Sequence, residues 1–545
     1  MKILAFSDWR FQDIEQFIDY LERLKEKPDV IVYAGDGLKR FNNVPYMAVP
    51  KILRDQYREE LIKIQEPFGK FDKKIIEDII RHNDIEYKMD VNKFEKIASF
   101  SHYGLLVVAG NNDPYYRKKA ITGEKVVDIH DNSVIIDDYA IIGIEGIEGI
   151  EGSSSKIGLL QYTEKEIIDH LNTKVEQVGD RQLIIISHSP PFKILDFSIM
   201  YSQDYIGSHA LRDFIEKNSD KVRVVISGHS HLQGGKFKKY KNTYVVNCAS
   251  HDMPGDPGRI AIVDISDDNV DIGWKTLYEL STVHRVGPKT YQKLIEHGIL
   301  NVKQLAALRP SNKLYQKFSD IHQNTLNLII NYANAIDSEK IIIKKGIKSA
   351  LNNLEGKNIY FFDAEYNSET TSSGPYGMFV LGWMDSKGNV QQKFLDNTKD
   401  EKEMLNEFCQ WLEKENPILI AYRSTIADAP HLQNCLTRLK LPFQQIEYYF
   451  FDLYQDVLYT QSLQKQKYFL PLGKPCGLKE VSELLGYQKP DLEISDGILA
   501  PIKYEEFLNS RNEKLKEKIK TDLLEYNRDD LKRTKFIYDQ LKELE

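Results

Sequence analysis

Cysteine is scarce. The 545 residues hold four, Cys248, Cys409, Cys435 and Cys476, and no two of them stand in a C-x-x-C spacing. That excludes a disulfide framework and a zinc knuckle, and it fits a reducing cytoplasm. Long apolar runs are missing too. Nothing approaches the roughly 18 consecutive apolar residues of a membrane span, so no membrane partner is expected. The opening MKILAFSDWR has a single lysine and a short strand-like run, with neither an apolar h-region nor a cleavage site, so no secretory leader is expected. An excess of positive charge is also absent. A net charge of -8 argues against broad, non-specific attachment to polyanions but not against local basic patches, and clustered metal-binding acids push the total this way. What remains is an ordinary soluble composition. At 41% hydrophobic residues there is apolar material for several cores, and the length implies two to four domains.

The first 280 residues alternate short apolar strands with helical stretches. MKILAFSD, DVIVYAGD, GLLVVAGN, QLIIISHS and VRVVISGH run apolar and stop at Asp, Asn, Ser or His. Buried strands read this way, and α/β folds build their sites at the carboxyl ends of such strands. The residues so placed are Asp8, Asp36 in GDG, Asn111 in GNND, His188 in SHSPP, and His229 and His231 in GHSH. Mixed oxygen and imidazole donors suit divalent Mn²⁺, Fe²⁺ or Zn²⁺. Two such ions about 3.5–4 Å apart would activate water and hold phosphate oxygens. Residues 41 to 100 form a charged insertion expected to be helical, either a solvated surface pair or a cap over the site. IEGIEGIEG, from Ile144 to Gly152, reads as a flexible loop or a lid.

These motifs, in this order, resemble the calcineurin-like metallophosphoesterases over roughly residues 1 to 275. The resemblance implies a four-layer α/β/β/α sandwich with Asp36 bridging two metals. One metal would also take Asp8 and His231, and the other Asn111, His188 and His229. Two positions depart from the family. Its Asp-x-His is here Asp8-Trp9-Arg10, and its Gly-Asn-His-Asp/Glu is Gly110-Asn111-Asn112-Asp113. Arg10 cannot coordinate a metal, but its guanidinium suits a bidentate grip on a substrate phosphate. Asn112 replaces the imidazole that would protonate the leaving group, help worth about 10²–10⁴-fold.

A second constellation begins at FFDAEYN. Asp363 and Glu365 alternate along a strand and so share a face. Asp428 follows the apolar ILIAYR, and LLEYNRDD puts Tyr526 and Asp530 on one helical face, with Asp529 as a rival to Asp530. Converging carboxylates repel unless cations neutralise them, which is the logic of two-metal phosphodiester cleavage with Mg²⁺ or Mn²⁺. Asp363, Glu365, Asp428, Asp530 and Tyr526 resemble the DEDDy exonuclease set on a ribonuclease H-like α/β fold, closest to the YprB-type domains. Those also carry a GLK…ELLG helix, here Gly477-Leu478-Lys479 through Leu485-Gly486. Tyr526 would orient the attacking water. Where relatives often have Tyr-Asn-Gly, this chain has Tyr422-Arg423-Ser424, a change that touches substrate contact rather than metal binding. Tyr366 and Phe362 are candidates for stacking on bases, with core packing the simpler reading of Phe362.

Between the two, VHRVGPKTYQKLIEHGILNVKQLAAL resembles a helix-hairpin-helix element. Gly287 and Lys289 match its phosphate-binding turn, and Arg285 stands where a first glycine is common. The expected layout is an α/β multidomain chain: residues 1–280 metallophosphoesterase, 281–350 helical connector, 351–545 ribonuclease H-like. The expected function is a metal-dependent nuclease, with DNA favoured over RNA, acting in repair or against foreign DNA. Two other readings stand beside it: an N-terminal module that only senses a phosphate or a protein partner, and a small-molecule phosphodiesterase carrying a nucleic-acid-binding domain. Oligomeric state is left open.

Overall fold

The computed structural model describes residues 1–9, 14–36, 93–111, 113, 123–149, 160–198, 204–250, 257–266, 269–319, 321–442, 445–460, 464–474, 476–490, 492–494 and 496–544. Arg10, Asn112, the insertion up to residue 92 and the last Ile-Glu-Gly of the repeat lie outside the described residues. The chain divides into two compact units, Met1–Thr282 and Val283–Glu545.

The first unit has two six-stranded sheets among the described residues. The strands are β1 (Lys2–Phe6), β2 (Val30–Tyr33), β3 (Leu105–Val107), β4 (Val126–Asp128), β5 (Val134–Ile136), β6 (Tyr139–Ile144), β7 (Gln182–Ser187), β8 (Val222–Ser227), β9 (Lys236–Tyr240), β10 (Thr243–Asn247), β11 (Gly258–Ile265) and β12 (Val270–Leu277). One sheet runs β12-β11-β1-β2-β3-β4 and the other β9-β10-β8-β7-β6-β5. Their middles are parallel, as β1 with β2 and β6 with β7. Alternate residues explain the layers. Ile3, Ala5, Val30 and Val32 of the first sheet pack with Ile141, Ile184, Ile186 and Val224 of the second in one buried core. The intervening residues Leu4, Phe6, Ile31 and Tyr33 face Phe17 and Ile18 of helix α1 (Ile14–Glu22). Ile142, Leu183 and Ile185 face Leu171 of α2 (Glu164–Val178) and Phe214 of α3 (His209–Lys217). The result is the α/β/β/α sandwich. Strands buried on both faces must read as continuous apolar runs, which is why they were legible. The repeat is less free than a loop: Ile147–Glu148 pairs in parallel with Gln161–Tyr162.

The second unit opens with helices, among them α4 (Pro288–Glu296) and α5 (Gln323–Ser338). A five-stranded sheet follows, of β13 (Ile359–Tyr366), β14 (Met378–Asp385), β15 (Val390–Phe394), β16 (Ile418–Ala421) and β17 (Phe450–Asp452), in the order β15-β14-β13-β16-β17. The first three are antiparallel and the last two join in parallel. Helices α6 (Glu401–Glu415), α7 (Asp428–Arg438), α8 (Leu478–Leu484), α9 (Leu499–Asn509) and the 31-residue α10 (Glu513–Glu543) complete it. On β13, Phe361 meets Tyr538 of α10, while the next residue, Phe362, points the other way onto Phe408 of α6. Phe362 is thus core. By the same alternation Asp363 and Glu365 face α10.

Candidate functional site

In the first unit the site residues sit on turns at the carboxyl ends of parallel strands. Asp8, Asp36 and His229 all hold left-handed backbone, with φ of 59°, 56° and 64°. Non-glycine residues rarely adopt it and need surrounding bonds to hold it there. Asp8 is held at both oxygens: Oδ2 accepts from Ser7 Oγ (2.6 Å) and the His229 N–H (2.9 Å), and Oδ1 meets His231 Nε2 at 3.0 Å. Asp113 fixes the Asp36 turn, its Oδ2 accepting from the Asp36 N–H (2.7 Å), the Gly110 N–H (2.8 Å) and the Tyr33 hydroxyl (3.0 Å). The approach is so close that a Cβ on Gly110 would lie 2.2 Å from Asp36 Oδ1. His188 Nδ1 donates to the Ala34 carbonyl (2.7 Å), which turns Nε2 toward Asn111 Oδ1 (2.9 Å) and Asp36 Oδ2 (3.5 Å). His229 packs its ring 5.1 Å from that of His188. Ligand atoms of Asp8, Asp36 and His188 lie within 4.8 Å of one another.

Charge in this site is interleaved. Burial pushes the Asp8 carboxyl up, but the charge and hydrogen bond of His231 outweigh it, and the net direction is down. Burial opposes charge on His188, yet the Asp36 carboxylate raises it to about 9. Burial, and then the His188 charge, lower His229 to about 3, leaving a neutral imidazole of the kind that binds metals.

In the second unit Asp363 and Glu365 leave β13 toward α10, which contributes Asp530 and, one turn earlier, Tyr526. Ligand atoms of Asp363, Glu365 and Asp530 also lie within 4.8 Å of one another. Asp428, the first residue of α7, is close enough for its charge to raise both Asp363 and Glu365. Burial and mutual repulsion hold Asp363 and Glu365 well above the usual carboxylate range. Burial and the neighbouring Asp452 push Asp428 up to about 8. Asn527 fastens Asp363, donating to its carbonyl (3.1 Å) and to Oδ2 (2.8 Å). Gln392 in turn donates to Asn527 Oδ1 at 2.8 Å. Gly382, opposite Asp363 in the strand pair, makes room: a Cβ there would lie 2.0 Å from Asn527 Oδ1.

Residues 1–233 match the family model for calcineurin-like phosphoesterases, and residues 360–542 match the model for the RNase H superfamily. The chain joins a calcineurin-like phosphoesterase domain to an RNase H-superfamily domain. Both families comprise metal-dependent phosphodiesterases or nucleases, so by class the chain is a hydrolase of phosphodiester bonds. Among solved structures it is similar to TT1561 of Thermus thermophilus, at 14% identity and TM-score 0.32, over 50% of this chain and 97% of that one. It is similar to the phosphopantetheinyl hydrolase of Mycobacterium tuberculosis at 13% and 0.27, over 46% and 90%. It is similar to a family B DNA polymerase from the archaeon Pyrobaculum calidifontis at 14% and 0.26, over 53% and 44%. These likenesses are too weak to bear on activity. No curated protein matches the chain.

The donor sets fit divalent cations in both domains. Oxygen-only donors in the RNase H-like domain suit a hard ion, and mixed imidazole and carboxylate donors in the phosphoesterase domain suit a borderline one. When bound, such ions activate water and stabilise a leaving oxygen. Four residues that sequence reasoning gave no role complete the sites: Ser7, Asp113, Asn527 and Lys479. Lys479, on α8, donates to the Tyr526 hydroxyl at 3.1 Å and lies 4.4 Å over its ring. Tyr526 lies close enough to Asp530 to favour its charged form. Asp113 left a sequence signal as the acid of GNND, and Lys479 as the lysine of the GLK motif. The two rival acids in the middle of α10 part: Asp529 accepts from Arg533 Nε (2.7 Å) and the Tyr487 hydroxyl (2.8 Å), and Asp530 faces Asp363 and Glu365. Tyr366 stacks on His431 at 4.3 Å. Gly287 caps α4 and Lys289 is exposed on its first turn.

Proposed function

We propose that the chain is a nuclease acting on DNA in preference to RNA. Its RNase H-like domain removes nucleotides 3′→5′ through a DEDD set of Asp363, Glu365, Asp428 and Asp530. The observation that carries this is the meeting of carboxylates from β13 and α10, with the charge of Asp428 from α7 felt by both β13 acids, beside Tyr526, whose hydroxyl accepts from Lys479. That hydroxyl orients the attacking water. Mg²⁺ or Mn²⁺ serves this site. The phosphoesterase domain, with Mn²⁺, Fe²⁺ or Zn²⁺ on Asp8, Asp36, Asn111, His188, His229 and His231, supplies a second nuclease or end-processing activity. Arg10 holds the substrate phosphate there, and Asn112 replaces the imidazole that would protonate the leaving group. Arg285, Gly287 and Lys289 grip the nucleic-acid backbone in the manner of a helix-hairpin-helix. The cellular role is DNA repair or defence against foreign DNA in the cytoplasm.

The test is digestion of single- and double-stranded DNA and RNA carrying a 5′ label, with Mg²⁺ or Mn²⁺. A ladder of 5′-labelled DNA fragments shortening progressively from the 3′ end is expected. Immediate release of the labelled 5′ nucleotide would reject the polarity, and digestion of RNA alone would reject the substrate.

A further inference from the structure

Two arginines of the second unit occupy backbone that arginine seldom adopts. φ is 70° at Arg285 and 60° at Arg423, in the left-handed region that glycine enters at least cost. Arg285 stands in the turn before α4, and Arg423 on the loop between β16 and α7, which begins with the cluster residue Asp428. Folding alone is served better by a small residue at either place. At Arg423 the strained turn is enforced by Asp452, which accepts from the Arg423 N–H (2.9 Å), the Thr425 N–H (3.1 Å) and Thr425 Oγ1 (2.7 Å).

Neither guanidinium is matched by a carboxylate among the described residues. Arg285 gives one bond, from Nη2 to the Thr460 carbonyl at 2.9 Å, and Arg423 lies 4.5 Å over the ring of Tyr454. Nε of each is buried with no hydrogen-bond partner. Lys474 is a third such cation, its Nζ bonded to the Val286 carbonyl. Uncharged rings join the three. His284 packs on Tyr459 (4.5 Å), Tyr459 on Tyr454 (4.7 Å), and Tyr454 on Tyr422 (5.6 Å). Burial, and then the charges of Arg285 and Lys474, hold His284 neutral, its pKa lowered to about 3. Half-buried cations whose guanidinium or ammonium nitrogens bond no carboxylate among the described residues call for an anion. The planar fork of arginine suits phosphate.

We propose that Arg285, Lys474 and Arg423 form a phosphate track that leads the backbone of a single nucleic-acid strand to the carboxylate cluster. The track rests on the nuclease reading and supplies what that reading leaves open, the path of the strand to Asp428.

The test exploits the backbone. Glycine suits both positions, so Arg285→Gly with Arg423→Gly removes two charges while relieving strain. Binding of a short fluorescein-labelled oligothymidylate to the full chain is read by anisotropy in EDTA, across a KCl series. The double variant is expected to bind about tenfold more weakly per arginine. Its salt slope should fall by about 1.4, from two lost single-strand phosphate contacts. Its thermal midpoint should hold or rise, whereas arginines with a merely structural role would lower the midpoint and leave binding alone. The pair Arg285→Lys with Arg423→Lys keeps the charges and should recover most of the slope. An unchanged slope in the glycine pair overturns the track, as does a lysine pair that binds no better than the glycine pair. A wild type that digests nothing with any metal removes the nuclease reading but leaves this binding result standing. Equal slopes in a wild type that does digest remove the track alone.

Discussion

The two candidate metal centres handle buried charge in opposite ways. In the phosphoesterase domain imidazoles alternate with carboxylates, so His231 pairs with Asp8 and His188 with Asp36. Each of these two acids has an imidazole partner, and Asp8 is held below its ordinary range. In the RNase H-like domain the carboxylates face mainly each other. Lys479 offsets part of the repulsion at Glu365 and Asp530, yet all four acids are pushed upward. A site that balances its own charge can hold its shape before any ion arrives. A site of like charges holds protons until a cation displaces them. The second centre is therefore the more cation-dependent of the two, and its neighbours Asn527, Gln392 and Gly382 read as bracing that keeps Asp363 in place against the repulsion.

The largest effect that would sharpen this contrast is on cleavage. Asp363→Ala or Asp530→Ala should lower nuclease turnover by about 10³-fold or more, since each removes a ligand from an ion that lowers the barrier by several kcal/mol. Single-turnover digestion measures it. On the phosphoesterase side the acid with most to lose structurally is Asp113. Its replacement by Ala leaves three buried donors without an acceptor, at about 1–3 kcal/mol each, and chemical denaturation of the residue 1–282 unit should show it. Asp529→Ala separates neighbours on α10. It removes the Nε partner of the buried Arg533 guanidinium, which keeps Ser482 and Glu483 at Nη1, at a cost of about 1–3 kcal/mol, yet should spare the turnover of the molecules that remain folded; a loss matching that of Asp530→Ala would show that the wrong acid has been placed in the cluster.

The smallest effect is a linkage. Asp428 titrates near 8 when folded, against about 3.9 in an unfolded chain. Its raised value contributes stability that is complete below pH about 4 and is lost as pH rises through about 8. A divalent ion binds the deprotonated form, so the rise in thermal midpoint on adding Mg²⁺ should grow from pH 5 to pH 8. At a hundredfold excess over Kd it is worth about 2.7 kcal/mol. An increment independent of pH would contradict the account of the carboxylate cluster.

Much of this was legible in the sequence because strands buried on both faces cannot hide. The runs ending at Asp8, Asp36, Asn111, His188 and His229 are all parallel-sheet strand ends, and Asp363 and Glu365 share a face through the two-residue strand period. What stayed hidden depends on contacts between distant segments. Asn527 matters only because α10 crosses β13 opposite Gly382. Lys479 matters only because α8 brings it to Tyr526, and the choice between Asp529 and Asp530 turns on where Arg533 lies. The left-handed turns at Asp8, Asp36 and His229 also left no mark, because aspartate and histidine there advertise a ligand rather than a backbone conformation.

The most direct measurement of the central claim is digestion of 3′- and 5′-labelled oligonucleotides by wild type, Asp363→Ala and Asp36→Ala under the same Mg²⁺ or Mn²⁺. Loss of 3′-end digestion in Asp363→Ala, with Asp36→Ala still digesting, is the expected result and makes the carboxylate cluster the nuclease centre. Loss in Asp36→Ala with Asp363→Ala unimpaired would contradict it and move the chemistry to the phosphoesterase domain.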